Sequence, residues 1–319
     1  MTECYIGFDT SNYTTSVALC DREGRVAANL KKPLPVKAGQ RGLRQSDAVF
    51  EHVRNLPTLL EELRSVLREG DYRPVAVGVS VTPRDAEGSY MPCFLSGRAA
   101  AAAFAAAGDL PLYSFSHQNG HVMAALYSSG RESLTENRFL AFHVSGGTTE
   151  VLLCTPKGAD FAVETVGETQ DINAGQAIDR VGVAMGLSFP CGRELESLAE
   201  KYVGRIPRHP ITVRDARCSL SGVENLALRM LSEGRPREEV AAFVFDFLCR
   251  TLSEMGKQTI ARYGDMPVLF AGGVMSNRFM RGQLSRQFDA AFSEPQFSAD
   301  NAAGIALLCR RRHLYLEEV

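Results

Sequence analysis

An α/β fold in two similarly built lobes, with a ligand cleft between them, is what this sequence predicts. Three observations lead there. The 319 residues exceed the usual size of one domain. The chain opens as strand, small polar turn, strand, and the same start recurs at Phe139. Each start is followed by segments whose apolar residues recur at helical steps. A duplicated ribonuclease-H-like unit has this order, and a ligand site between its halves follows from it. A single doubly wound sheet would show the same periodicities, so it stays open at this level.

Cys4 to Asp9 is predicted as the first strand and Ser16 to Cys20 as the second, joined through the hydroxyl-rich run Thr10–Thr15. Between Ser46 and Arg68, Val49, Phe50, Val53, Leu56, Leu59, Leu60, Leu63 and Leu67 recur at three- and four-residue steps. That spacing predicts an amphipathic helix, with Pro57 as a kink. Val75 to Val81 reads as a buried strand and Ser96 to Ala107 as an alanine-rich helix packed on a sheet. A short strand near Leu112 precedes a helix from about His117. Strands at Phe139–Val144 and Glu150–Leu153 then flank Ser145-Gly146-Gly147-Thr148-Thr149. Helices are predicted at about 175–185, 193–202, 222–231 and 238–263, a strand at 267–270 ending in Ala271-Gly272-Gly273, and a last helix from about Asp300. The lobes are accordingly expected at 1–112, completed by 300–319, and at 113–299.

Composition narrows the function classes. A net charge of −2, with 45% hydrophobic and 23% charged residues, describes a globular protein with no overall basic field. The run Arg310-Arg311-Arg312 is read as a solvated face of the last helix in preference to an RNA contact. Eight scattered cysteines form no CxxC pair, which argues against a zinc ribbon or a thioredoxin-like centre and for buried thiols in a reducing compartment. Met1-Thr2-Glu3-Cys4 lacks the opening of a signal peptide, and no stretch is apolar enough to span a bilayer. A cytoplasmic protein without a membrane partner is expected.

Several residues point to chemistry. Gly146-Gly147 and Gly272-Gly273 stand at strand ends, where glycine lets backbone N–H groups approach phosphate oxygens. Ser145, Thr148 and Thr149 add hydroxyls, and Asp179 and Asn277, near helix starts, could hold ribose or base or serve only as caps. His117 and His121, four apart, fall on one helix face within reach of one metal ion. No Glu follows His117, so the pattern is not that of a HExxH protease. His143, on the strand entering the Ser145 turn, is in the position of an ordinary core histidine. Asp300, before Asn301-Ala302-Ala303-Gly304, is expected to cap the final helix.

Taken in order, His117-x-x-x-His121, His143-Val-Ser-Gly-Gly147, Gly175-Gln-Ala-Ile-Asp179-Arg, Phe189-Pro-Cys-Gly192, Ser219-Leu-Ser-Gly222, Ala271-Gly-Gly-Val-Met-Ser-Asn277-Arg and Asp300-Asn-Ala-Ala resemble the motifs of the TsaD family, which includes the catalytic subunit of the KEOPS complex. Asp47 to Pro57, with His52, is similar to that family's first long helix. The resemblance implies the ASKHA (actin-like ATPase) fold of two ribonuclease-H-like lobes around a central cleft. It implies transfer of a threonylcarbamoyl group from threonylcarbamoyl-adenylate to adenosine 37 of tRNA. By position, His117, His121 and Asp300 would hold one divalent metal ion, iron or zinc, with His143 standing where archaeal members have a Tyr ligand. His143, Val144, Ser145, Gly146, Gly147, Asp179, Gly192 and Asn277 would hold the adenine nucleotide or acyl-adenylate. The metal would polarise the carbamoyl carbonyl for attack by the adenosine amine. A TsaB-like dimerising partner is implied as well.

The sequence departs from the family at four places. Ser11-Asn12-Tyr13-Thr14-Thr15 replaces Ser-Cys-Asp-Glu-Thr, so two acids are missing, and Asp85 and Glu87 of the neighbouring loop could replace them. Thr82 to Cys93 replaces a Gly-Pro-Gly-Leu-rich loop, Gln176 a Glu, and Cys191-Gly192 a diglycine. These changes describe a divergent paralogue. They leave three alternatives beside tRNA modification: a non-catalytic nucleotide-binding partner or regulator, a small-molecule carbamoyltransferase like TobZ and HypF, and a phosphotransferase using Asp9.

Overall fold

In the computed structural model, which describes residues 1–11, 13–35, 43–298 and 300–319, each half of the chain builds its own sheet. The chain divides into unit 1 (Met1–Glu136, Thr155–Val163, Gln296–Val319) and unit 2 (Asn137–Cys154, Glu164–Pro295). Asn12, in the first hairpin quoted above, lies outside the described residues.

Unit 1 begins with an antiparallel meander, β1 (Thr2–Asp9), β2 (Thr14–Asp21) and β3 (Val26–Pro33). Helix α1 (Gln45–Glu69) leads to β4 (Tyr72–Thr82), parallel to β1, and α2 (Phe94–Ala107) to β5 (Leu112–Ser116), parallel to β4. Helix α3 (His117–Ser128) follows β5 without a loop. The sheet order is β3-β2-β1-β4-β5.

The second sheet repeats the plan with β6 (Phe139–Val144), β7 (Thr149–Lys157) and β8 (Asp160–Glu168), although residues 155–163 of the β7–β8 stretch are counted with unit 1. Helices α4 (Ala174–Ala184) and α5 (Gly192–Ala199), the hairpin β9 (Thr212–Arg214) and β10 (Arg217–Ser219), and helices α6 (Ser221–Ser232) and α7 (Arg237–Tyr263) come next. Then β11 (Val268–Ala271), α8 (Arg278–Leu284) and β12 (Ala290–Phe292) complete a sheet ordered β12-β11-β6-β7-β8. The last helix, α9 (Ala303–Glu318), returns to unit 1.

In both sheets the third, second, first, fourth and fifth strands lie side by side in that order. Two sheets of one topology exclude the single doubly wound sheet. The core of unit 1 joins Ile6, Phe8, Val17 and Leu19 to Leu56, Leu59 and Leu63 of α1 and Ala101 and Ala105 of α2. Unit 2 packs around α7, with Phe243, Phe247, Leu248 and Leu252 against Phe142 and Phe270 of the sheet. Burying each of the larger of these side chains, the alanines apart, contributes roughly 1.5–3 kcal/mol. All eight cysteines are free and buried. Burial pushes the thiols of Cys4, Cys218 and Cys249 up to about 12.

Three local expectations are corrected. On α1, Phe50 and Val53 are 61% and 55% exposed, while His52 and Asn55 are buried. The helix turns a partly polar face inward because Thr15 of β2 meets both: its Oγ1 lies 2.9 Å from His52 Nδ1 and accepts from Asn55 Nδ2 at 3.1 Å. Asp300 does not cap the last helix; the cap is Ala302, and Asn301 Oδ1 accepts from Ala303 N at 3.1 Å. The arginines of α9 are half-buried rather than solvated. Arg310 and Arg311 donate to the carbonyls of Arg22 and Ala159, and Arg312 pairs with Asp160 beneath the Phe115 ring.

Candidate metal and nucleotide sites

The metal-type cluster is built inside unit 1. Ser116 ends β5 and caps α3, its Oγ accepting from Asn119 N at 3.2 Å. That cap starts the helix with His117, so one turn later His121 stands on the same face. The two Nε2 atoms lie 2.9 Å apart. Asp300 Oδ1 approaches His121 Nε2 at 3.2 Å and His117 Nε2 at 3.7 Å. One donor atom from each residue falls within a 4.8 Å cluster.

A second carboxylate supports the cluster from behind. Asp9, 1% exposed at the end of β1, places Oδ2 2.7 Å from His117 Nδ1. A carboxylate on Nδ1–H fixes the tautomer whose Nε2 lone pair faces the cluster, as histidine ligands of metals need. Two imidazole nitrogens and a carboxylate oxygen, with one imidazole so oriented, suit a divalent ion of the iron or zinc kind. His52 lies nearby in the fold, fully buried, and burial lowers its pKa to about 4. Its Nε2 has no partner among the described residues.

The charges of the metal-free cluster carry a pH signature. Burial disfavours a charged His117, but Asp9, by charge and hydrogen bond, and Asp300 outweigh it and raise the pKa from 6.5 to about 9. Burial pushes Asp9 up, yet the charge and hydrogen bond of His117 and the Ser11 N–H bring it below its ordinary 3.8. A raised histidine stabilises fully below 6.5 and loses that contribution as pH passes about 9. A depressed aspartate stabilises above 3.8 and loses it as pH falls further. The metal-free protein is therefore expected to lose melting temperature as pH rises from 6.5 through about 9. Asp9→Asn should flatten that slope in a thermal scan.

The glycine-rich turns lie in unit 2. Ser145 to Thr148 joins β6 to β7, and Ser145 Oγ accepts from Gly147 N at 3.2 Å and Thr148 N at 3.1 Å. Gly175, in the first turn of α4, abuts this loop: a Cβ there would come within 2.7 Å of Gly146 N. Gly272, at φ 97°, would place a Cβ 2.2 Å from the Val144 carbonyl. Gly146, Asp179, Gly192 and Asn277 line one cavity of about 390 Å³, together with Glu196. Asp179 Oδ1 accepts from Cys191 N at 2.8 Å, and burial raises its pKa. Asn277 caps α8 through Oδ1 and has a buried Nδ2 with no partner among the described residues. A donor amide and a carboxyl in one cavity beside a glycine loop suit a nucleoside with phosphate attached.

The other sequence candidates are placed differently. Val144 is fully buried in the core of unit 2, so only its backbone can serve a ligand. His143 belongs to unit 2, where Nδ1 stands 3.7 Å from Glu150 Oε1, whereas His117, His121 and Asp300 belong to unit 1. Sequence reasoning missed Asp9 as the partner of His117, since 108 residues separate them. It also missed Glu196, whose Oε1 accepts from Arg278 N at 2.7 Å beside Asn277.

Two sheets of one topology, each with helices, define a class shared with solved proteins. The chain resembles the ROK hexokinase from Thermus thermophilus at TM-score 0.51 and 16% identity, covering 99% of this chain and 100% of that one. It resembles full-length HypF, solved in its phosphate- and nucleotide-bound form, at TM-score 0.61 and 13% identity, covering 97% of this chain and 46% of that one. These likenesses place the fold in the ASKHA, actin-like class. Within it, residues 41–307 match the profile of TsaD, described as tRNA N6-adenosine threonylcarbamoyltransferase. A protein of that description from Thermus thermophilus is 32% identical over 97% of this chain and 92% of its own. One from Streptococcus pyogenes is 30% identical over 96% and 90%. The chain belongs to the TsaD family.

Proposed function

We propose that this protein transfers a threonylcarbamoyl group from threonylcarbamoyl-adenylate to the exocyclic nitrogen of adenosine 37 in tRNA. The observation that carries this reading is the donor set of His117 Nε2, His121 Nε2 and Asp300 Oδ1, oriented by Asp9, in a member of this family. Unit 1 holds one divalent ion, iron or zinc, through those three residues. Such an ion supplies Lewis-acid polarisation of a carbonyl when bound. Unit 2 holds the adenylate: the Gly146 N–H of the Ser145–Gly147 turn faces its phosphate, and Asp179, Gly192 and Asn277 face its nucleoside. The adenosine amine forms a bond to the carbamoyl carbon, the carbon–oxygen bond to phosphate breaks, AMP leaves with that electron pair, and the acylated nitrogen gives up one proton to water. AMP is a good leaving group, so positioning contributes much of the acceleration. The exposed Phe50 and Val53 of α1 and Leu95 of α2 offer apolar surface to a dimerising partner.

The test supplies purified protein with threonylcarbamoyl-adenylate and unmodified tRNA, with and without the partner proteins of relatives, and follows AMP release and base modification. Modified adenosine 37 is the expected product, and its absence in both arms overturns the reading. A second reading is favoured by one observation: Tyr13 and Thr14 occupy the hairpin positions of the family's two acids. A nucleotide-binding regulator without turnover would then bind adenine nucleotides and release no AMP.

A further inference from the structure

One stretch of unit 2 has no part in either candidate site and carries an unusual charge. From Lys201 to Cys218 there are five cations, Lys201, Arg205, Arg208, Arg214 and Arg217, against one acid, Asp215, in a chain of net charge −2. All five are exposed, and none makes an ion pair or side-chain hydrogen bond among the described residues.

The β9–β10 hairpin places two of them in a costly arrangement. Arg214 and Arg217 are directly paired across the strands. Like charges facing each other across an antiparallel pair are destabilising. The two turn residues between them, Asp215 and Ala216, have φ of 51° and 57°, values that hairpins of this length normally give to Asn and Gly. Strain of this kind persists where surrounding structure holds it and is concentrated at functional sites. Here the support is visible. Gln258 Oε1 of α7 accepts from Ala216 N at 3.1 Å, its Nε2 donates to the Val213 carbonyl at 3.4 Å, and Ala216 itself is 4% exposed. The two guanidiniums thus project from a rigid, anchored turn.

The surface beside the hairpin continues the same chemistry. A groove of about 520 Å³ is lined by Arg214, Arg262 and the half-buried Tyr263, with Gln258 and Asp215. Arg262 lies over the Tyr263 ring at 5.1 Å. Guanidiniums for phosphate oxygens, an aromatic face and an amide together are what a nucleic-acid strand meets on proteins that bind it.

We propose that the β9–β10 hairpin, with Arg214, Arg217 and Arg262, is the surface on which unit 2 takes the phosphate backbone of its RNA acceptor. This rests on the reading of tRNA as the acceptor. A bound polyanion neutralises the facing arginines, which explains why the fold keeps them together and unpaired.

The test measures binding of an unmodified tRNA transcript, by fluorescence anisotropy across a salt series, to the full chain and to variants. Arg214→Gln with Arg217→Gln should weaken binding roughly tenfold or more and reduce the slope of log K against log salt by about 2. Arg217→Glu alone replaces the like pair by an opposite pair, so it should weaken RNA binding while melting temperature stays or rises. Arg64→Glu with Arg68→Glu, exposed on α1, removes more charge and should leave binding unchanged. Equal losses from both doubles, or no loss from the hairpin double, overturn the inference. Wild-type protein that binds tRNA through this hairpin but releases no AMP overturns the transferase reading alone. Wild-type protein that modifies tRNA with an unchanged KM in the hairpin double overturns this inference alone.

Discussion

His121→Ala is expected to abolish stoichiometric binding of iron or zinc, with an affinity loss well beyond about 100-fold. The scale comes from comparison with Asp9. Removing a group that only orients a metal-bound histidine costs roughly 10–100-fold in metal affinity. Asp9→Asn should fall in that range, because it leaves all three donors and loosens only His117. His121→Ala removes a donor and leaves two, too few to outcompete solvent for a divalent ion. Asp300→Ala should resemble it. Metal analysis after dialysis, with calorimetric titration, orders the variants. An Asp9→Asn protein as defective as His121→Ala would mean that Asp9, rather than Asp300, is the operative carboxylate.

Gly304→Ala is expected to be among the most damaging glycine-to-alanine changes at the described residues. A Cβ at Gly304 would stand 1.8 Å from the Gly120 carbonyl oxygen and 2.7 Å from its carbon. Both partners are backbone, so neither can rotate away, and α3 and α9 must separate. Forcing volume into such a contact costs about 3 kcal/mol, which corresponds to a melting temperature lowered by roughly 6–12 °C. The same separation should weaken metal binding, because Gly120 lies between His117 and His121 on α3 and Gly304 lies one turn beyond Asp300. Gly282→Ala in α8 is the control, since its Cβ would meet nothing within 4 Å. Equal melting temperatures for the two variants would refute the argument.

How much of this was legible beforehand depends on the range of the interaction. Helix α1 and the β6–turn–β7 hairpin announced themselves through local spacing, and the repeated start anticipated two sheets of one order. The pairing of His117 with His121 was also local, one helical turn. Asp300 shows the opposite case: the family resemblance set it beside His117 and His121, but its local reading as a helix cap failed. Sequence proximity to a helix start suggested that cap, whereas its carboxylate meets His121, 179 positions earlier. His52 and Asn55 broke the apolar pattern of α1 because a hydroxyl on another element satisfies them, which no periodicity encodes. Strand β3 was missed since its half-buried, lysine-containing sequence alternates weakly. The short strands β9, β10 and β12, three residues each, fall below any window in which periodicity can be counted. The arginines of α9 looked like a solvated run because their partners, Ala159, Asp160 and the Arg22 carbonyl, come from distant loops.

The eight sequestered thiols have a practical consequence for how this molecule ages. A thiol screened from solvent is hard to reach, and where burial also holds it protonated, as at Cys4 and Cys218, it is a poor nucleophile, so thiol reagents find no cysteine to react with while the chain remains folded. Each modified cysteine then records one excursion in which part of the protein came open. The rate at which label accumulates, mapped residue by residue, gives a clock for the separate opening of the two halves, with Cys4, Cys20, Cys93 and Cys309 reporting on one and Cys154, Cys191, Cys218 and Cys249 on the other.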